Sequence, residues 1–347
     1  MSNITVKGKP FVFKGVANVE NCATSQDVME AAGLDFTVEK CPLYAKMPES
    51  PNDAKDDSVL RWDGDVYRRC PSAYATYRTD TNEPLGTVKS KYTVVQNIDA
   101  FKFFDGAIGK NKAIWQTAGC FGFGSRVFVS AKLPRNIMVK GDPVENYLVF
   151  TNNHDGMGGV KILFTPIRVI CQNTLNAAIK TSNNYVSFRH TKSVHNNIDI
   201  ASEILGITDK TTQFLNAKFN RMAEIKMTDA NAEDVFANVI LTENELTTIK
   251  QTGHTVHQII NRDWRAIDDA GISMKKVNVL NGIQHYYHEG PGQKEQLGNA
   301  WGVYNAITGY YSNIDNNEGD KRMDTLLYGD RATKFKTASD LILEAYN

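Results

Sequence analysis

The segment that most constrains this chain is Arg126-Val-Phe-Val-Ser-Ala-Lys-Leu133, which alternates without a break. Successive side chains of a strand point to opposite faces. Val127, Val129, Ala131 and Leu133 therefore share one face, and Arg126, Phe128, Ser130 and Lys132 the other. Asn146-Tyr-Leu-Val-Phe-Thr151 reads as a second strand, and Gly158-Gly159 turns the chain into a third, Val160 to Ile170. Pro166 has no N–H to give a ladder, so the third strand lies at an edge or is bulged there. A helix is predicted from Gln172 to Lys180, with Leu175, Ala178 and Ile179 on one side. The order is strand, strand, strand, helix. It predicts an α+β fold: an antiparallel sheet with a β-β-β-α core and a helical C-terminal region.

The flanks divide the chain into three regions. Residues 1–85 read as irregular and β-rich, with short runs such as Phe36-Thr-Val38 and Arg61-Trp-Asp-Gly-Asp-Val-Tyr67. Acid gathers there at Glu49, Asp53, Asp56, Asp57, Asp63 and Asp65, and 48–58 reads as a solvated loop. Residues 86–226 form the α+β core, opened by a helix over Ile98–Ile108. Asn97 is placed to cap it and Gly109 to end it. Residues 227–347 are helical, with helices predicted over 231–241, 244–269, 273–287, 299–313 and 338–346. No internal repeat is visible.

The chain carries 39 Lys+Arg and 39 Asp+Glu, a formal net charge of zero. That sum counts against a protein that coats itself in nucleic acid by bulk charge. Read by segment it is a cancellation. Residues 106–198 hold eleven basic residues against three acidic ones, a net +8, and the remainder carries −8. Trp115, Phe121, Phe123, Phe128, Tyr185 and Phe188 are interleaved with these cations. A basic groove with aromatic platforms suits single-stranded nucleic acid, because phosphates take Lys and Arg and unstacked bases take the rings. The candidate contacts are Arg126, Lys132, Lys161, Arg168, Arg189 and Lys192 for phosphates. For bases they are Phe128, with Phe123 or Tyr185. The competing reading packs Phe128 under another element and leaves the cations as ordinary surface.

Catalytic chemistry finds less support. No Gly-x4-Gly-Lys-Ser/Thr loop is present, which argues against an intrinsic P-loop ATPase. Gly119-Cys-Phe-Gly-Phe-Gly124 runs into a strand and reads as a turn. His254-x-x-His257 and His285-x-x-His288 have the spacing of a helical metal pair but no third ligand in register. Solvent-facing or capping roles fit them better. Asn152-Asn-His-Asp-Gly156 reads as a loop closing two strands rather than as a His–Asp acid/base pair. Cys171 falls at a strand-to-helix junction and reads as a structural thiol. No catalytic residue, cofactor or metal is predicted. Five widely spaced cysteines, no leader pattern and no apolar run of membrane length point to a reducing cytoplasm.

Thr165-Pro-Ile-Arg-Val-Ile-Cys-Gln-Asn-Thr-Leu-Asn176, with Phe188-Arg-His-Thr191, resembles the signature of the phage/plasmid-like family described as domain of unknown function 932. Gly86–Phe104, Asn153-His-Asp-Gly156 and Trp301-Gly-Val-Tyr-Asn-Ala306 are similar to it as well. The resemblance spans roughly 85–315. It implies a phage or plasmid product acting in a bacterial cytoplasm, and it supplies no activity or catalytic residue. The β-β-β-α order is also similar to phage single-strand annealing recombinases of the Redβ, RecT and Erf group, a likeness of topology alone. The leading expectation is an ATP-independent protein that binds and anneals single-stranded DNA in recombination, as a homo-oligomer. The alternatives are an interaction module acting on a host protein and, third, a metal-dependent hydrolase.

Overall fold

In a computed structural model of the protein, the described residues are 16–50, 59–108, 113–168, 173–174, 185–188, 197–314 and 329–346. In chain order the N-terminal elements are β1 (Ala17–Asn18), α1 (Ser25–Ala32), β2 (Val38–Met47), β3 (Val59–Trp62), β4 (Asp65–Arg78), β5 (Pro84–Lys89) and α2 (Asn97–Ile108). The centre holds β6 (Ile114–Phe121), β7 (Arg126–Lys132), β8 (Ile137–Val139), β9 (Asp142–Asn153), β10 (Val160–Arg168), β11 (Asn173–Thr174) and β12 (Tyr185–Phe188). The helical part comprises α3 (Asn197–Glu224), α4 (Asp229–Ile240), α5 (Glu243–Gln251), α6 (Val256–Ile260), α7 (Trp264–Asp269), α8 (Met274–Glu289), α9 (Ala300–Gly309) and α10 (Asp330–Ala345). A π-helical turn, Tyr310–Ile314, extends α9. The protein is α+β, with antiparallel sheets and its helices concentrated toward the C-terminus.

The alternating segment becomes β7, inside an eight-stranded antiparallel sheet of order β1-β6-β7-β9-β10. Val129 pairs with Phe150, which pairs with Ile162. Ala131, Leu148 and Phe164 make the next row. These rows belong to the main core, together with Phe101 of α2, Phe219 of α3 and Trp301 of α9. The opposite rows bury Phe128, Tyr147, Val149, Leu163 and Ile167 in a smaller cluster flanked by Val16 and Phe121. The sheet is thus apolar on both faces in its middle. On the outer side of β10, β12 pairs with residues 160–163 and β11 with 167–168. The pairing with β9 runs through Pro166, opposite Asn146, without a register shift.

Several expectations are corrected. Asn173 and Thr174 lie in a strand paired with β10, so the helix predicted from Gln172 does not begin there; its remainder falls outside the described residues. Asn97 does open α2, but its side chain donates to the Leu34 carbonyl (3.0 Å) instead of capping the first turn. The single helix predicted over 244–269 is three helices, α5, α6 and α7. The breaks coincide with Gly253 at φ +73° and with the new N-caps Thr255 and Asp263. Helix α1 has no counterpart in the sequence reading; a reciprocal capping box between Thr24 and Asp27 starts it.

The second sheet has four strands, with β2 on one side of β4 and both β3 and β5 on the other. It is fastened to the central sheet by polar contacts and close backbone approach. The Thr76 hydroxyl donates to the His154 carbonyl at 2.6 Å, and the Tyr92 hydroxyl donates to the Asn153 carbonyl at 3.1 Å. A Cβ on Gly86 would stand 2.4 Å from the Asp155 Cα, so only glycine fits that crossing. The Trp301 indole N–H donates to the buried Asp142 carboxylate at 2.8 Å, tying α9 to β9.

Candidate nucleic-acid interface

The predicted groove on the central sheet is not an open aromatic platform. Phe128 is fully buried and stacks on Phe121, with ring centroids 5.3 Å apart. It is a core residue, because the alternation names a side chain's face without saying what covers that face. Lys132 is held by Glu145, its neighbour across the strand pair. Arg126 lies 3.8 Å from Asp155, with both side chains largely buried. Lys161 is half-buried in the pleat row of Phe128. The backbone of Arg168 pairs with that of Val144 at the end of β10. The backbone of Tyr185 sits opposite Leu163. Arg189 and Lys192 fall outside the described residues, as does Cys171. Phe123 is exposed, in the Gly122–Gly124 turn between β6 and β7.

The other candidate chemistries resolve into structural roles. His154 is buried, and its Nε2 lies 2.9 Å from the Asn97 Oδ1. Asp155 instead accepts the Met157 N–H at 2.8 Å, so His154 and Asp155 do not form an acid/base pair. Asn152 donates to the Val95 carbonyl at 3.0 Å. Asn152 and Asn153 thus end β9 and His154-Asp-Gly156 begins the connection to β10; together they weld β9 to the start of α2 and to β4. Burial raises the Tyr92 phenol well above its ordinary range, helped by the Asp155 charge. The histidine pairs are dispersed. His254 bonds Asp269 (2.8 Å), His257 bonds Glu233 (2.9 Å), and His288 meets the Gln284 amide (3.1 Å). Among the described residues no three His, Cys, Asp or Glu side chains could hold a metal. Cys22, Cys41, Cys70 and Cys120 are free thiols.

An aromatic and cationic face does exist, on the N-terminal sheet. Asp63 and Gly64 form a two-residue turn at φ +48° and +77°, joining β3 to β4 with Trp62 opposite Asp65. The register then sets Leu60 and Lys46 on either side of Tyr67, and Tyr44 opposite Arg69. Beyond a register shift, Pro42 faces Tyr74. By alternation one face carries Trp62, Leu60, Tyr67, Tyr44, Tyr74, Lys46, Arg69, Lys40 and Asp65. Its inner end, Val38, Thr76 and Val88, is buried against the body of the protein. Its outer end projects: Trp62 is 76% exposed, Leu60 49% and Tyr44 37%.

The cations of this face surround the rings. The Arg69 guanidinium donates to the Tyr74 hydroxyl at 3.2 Å and lies 6.0 Å from the ring centroid. The Lys40 ammonium is 5.0 Å from the same centroid and donates to the Ser90 and Tyr92 carbonyls. Both cations are within cation–π range of the Tyr74 ring. Lys46 pairs with Asp65 at 2.5 Å, and that hydrogen bond, reinforced by the carboxylate charge, raises the ammonium above its ordinary range. Three cations therefore stand against one carboxylate. The sequence carries no apolar alternation for this face, because its residues are mostly exposed or half-buried polar and aromatic side chains. The one signal was Trp62 beside an Asp-Gly turn.

A family model described as "Domain of unknown function (DUF932)" matches residues 84–339. No curated protein and no solved structure matches the chain. The matched span contains the central sheet, the welding loop and most of the helices, whereas the aromatic face lies on strands that precede it. Among the described residues no helix is long and apolar enough to cross a membrane.

Proposed function

The chain belongs to the DUF932 family, a domain of unknown function, and we propose that this member binds single-stranded DNA and anneals it to its complement without a nucleotide cofactor. The observation that carries the reading is the face with exposed Trp62 and Tyr44 and half-buried Tyr67 and Tyr74, with Lys40, Lys46 and Arg69 set among its rings. Stacking needs unpaired bases, so the face selects single strands over duplex. The side chains present offer π-faces and positive charge more than base-edge hydrogen bonds, so binding tolerates any sequence. Annealing brings two strands together, which calls for at least two copies acting in concert. Recombination in a bacterial cytoplasm, by a phage or plasmid product, is the setting this activity suits.

Fluorescence anisotropy of labelled single- and double-stranded oligonucleotides across a salt series tests the reading, with light scattering on the same samples. Salt-dependent binding that favours the single strand supports it. If no binding appears at low salt while one stoichiometric protein partner is captured from lysate after nuclease treatment, the face is a protein-docking surface and the proposal fails.

A further inference from the structure

We propose that Asp65 is a built-in competitor for the phosphate backbone on this face: its carboxylate occupies the Lys46 ammonium when the face is empty and yields it to a phosphate of the bound strand. The inference rests on the single-strand reading above and concerns how tightly that site holds its ligand.

The register supplies the geometry. Trp62 pairs with Asp65, and Lys46 with Tyr67, so the ion pair lies along the row of rings that would take the bases. A strand stacked on Trp62 and Tyr67 brings its phosphates to the Lys46 ammonium, where they meet a carboxylate already bound at 2.5 Å. Both partners are solvent-exposed, with side-chain exposures of 63% and 39%, so water screens the pair and it exchanges readily. Asp65 also repels any phosphate that approaches while it is in place. Its strand position is set by the Asp63-Gly64 turn, which ends one residue before it.

The device suits annealing. A protein that hands a strand to its complement has to hold it weakly enough to let go. Removing rings would weaken binding and also abolish the preference for unpaired bases. A carboxylate beside one cation weakens the hold and leaves that preference intact.

The test compares wild type with D65N, K46Q, K46Q/D65N and D63N, using a labelled thymidine oligonucleotide and a salt titration. Asparagine keeps the shape of Asp65 and removes its charge. D65N is expected to bind several-fold tighter at low salt. Its log K against log salt slope should steepen by about 0.7, the contribution of one phosphate contact on a single strand. In the K46Q background D65N should lose most of that gain. D63N removes a carboxylate from the turn, at a left-handed position that asparagine tolerates, and should change binding little. If wild type does not bind at all, the single-strand reading itself falls. If wild type binds but D65N matches it in affinity and slope, Asp65 is not a competitor. Equal gains from D63N and D65N would reduce the effect to bulk charge and overturn the inference.

Discussion

Replacing Trp62 by alanine separates a binding surface from a folding surface. Trp62 is 76% exposed and next to a two-residue turn, so its loss opens no cavity. Surface substitutions of this kind change stability by no more than about 0.5 kcal/mol. A base stacked on an aromatic ring contributes about 1–3 kcal/mol, so W62A should weaken single-strand binding by about 5- to 150-fold. Trp264, on α7, is 69% exposed and supplies an internal control. Anisotropy titrations of W62A and W264A at matched salt, with thermal melts of both, read the two quantities separately. The account requires W62A to lose affinity with an unchanged melting temperature, and W264A to keep wild-type affinity. Wild-type binding by W62A, or an equal loss in W264A, refutes the placement of the bases.

The other predictions concern the frame that holds this face. F128A empties a fully buried site and should cost about 3–5 kcal/mol of stability in a denaturant titration. Its effect on affinity measured well below the melting temperature should be small, because the ring is core and not platform. G86A forces a Cβ to 2.4 Å from the Asp155 backbone and should destabilise by about 1–3 kcal/mol, with faster hydrogen exchange in β4 and β5. Burial pushes the Glu245 carboxyl up, but its bonds with Lys276 and Thr242 outweigh that and hold it below its ordinary 4.5. Its folded value is the depressed one, so its stabilisation is full above pH 4.5 and is lost as pH falls through the folded value. E245Q should be less stable than wild type at neutral pH, and the gap should narrow in acid melts.

What the sequence reveals depends on whether burial is one-sided. Residues 126–133 announce β7 because Val127, Val129 and Ala131 face the main core in strict alternation. The same pattern misled about Phe128, since it gives the side a residue points to and not the layer lying over it. The opposing charges were visible only as a tally. Lys132 and Glu145 are 13 positions apart, and they meet because Lys132 pairs with Tyr147, which sets Glu145 diagonally beside it. The helix predicted from 172 does not begin there because pairing of residues 173–174 with β10 overrides local propensity. The polar run 152–156 is a strand connection only from His154 onward, since Asn152 and Asn153 pair with β7 as the end of β9. Its further role as a weld depends on Gly86 and Thr76, far away in sequence. The aromatic face on β2, β3 and β4 left almost no trace, because its exposed and half-buried residues follow no apolar period.

Photocrosslinking tests the central claim most directly. A single-stranded oligonucleotide carrying 5-bromodeoxyuridine is irradiated with the full-length protein, and the modified peptides are mapped by mass spectrometry. Crosslinks at Trp62, Tyr67 or Tyr44 are the predicted result, and they should diminish when salt is raised. Crosslinks confined to residues 106–198, or none under conditions where the oligonucleotide is bound, would contradict the assignment of the single strand to the N-terminal sheet.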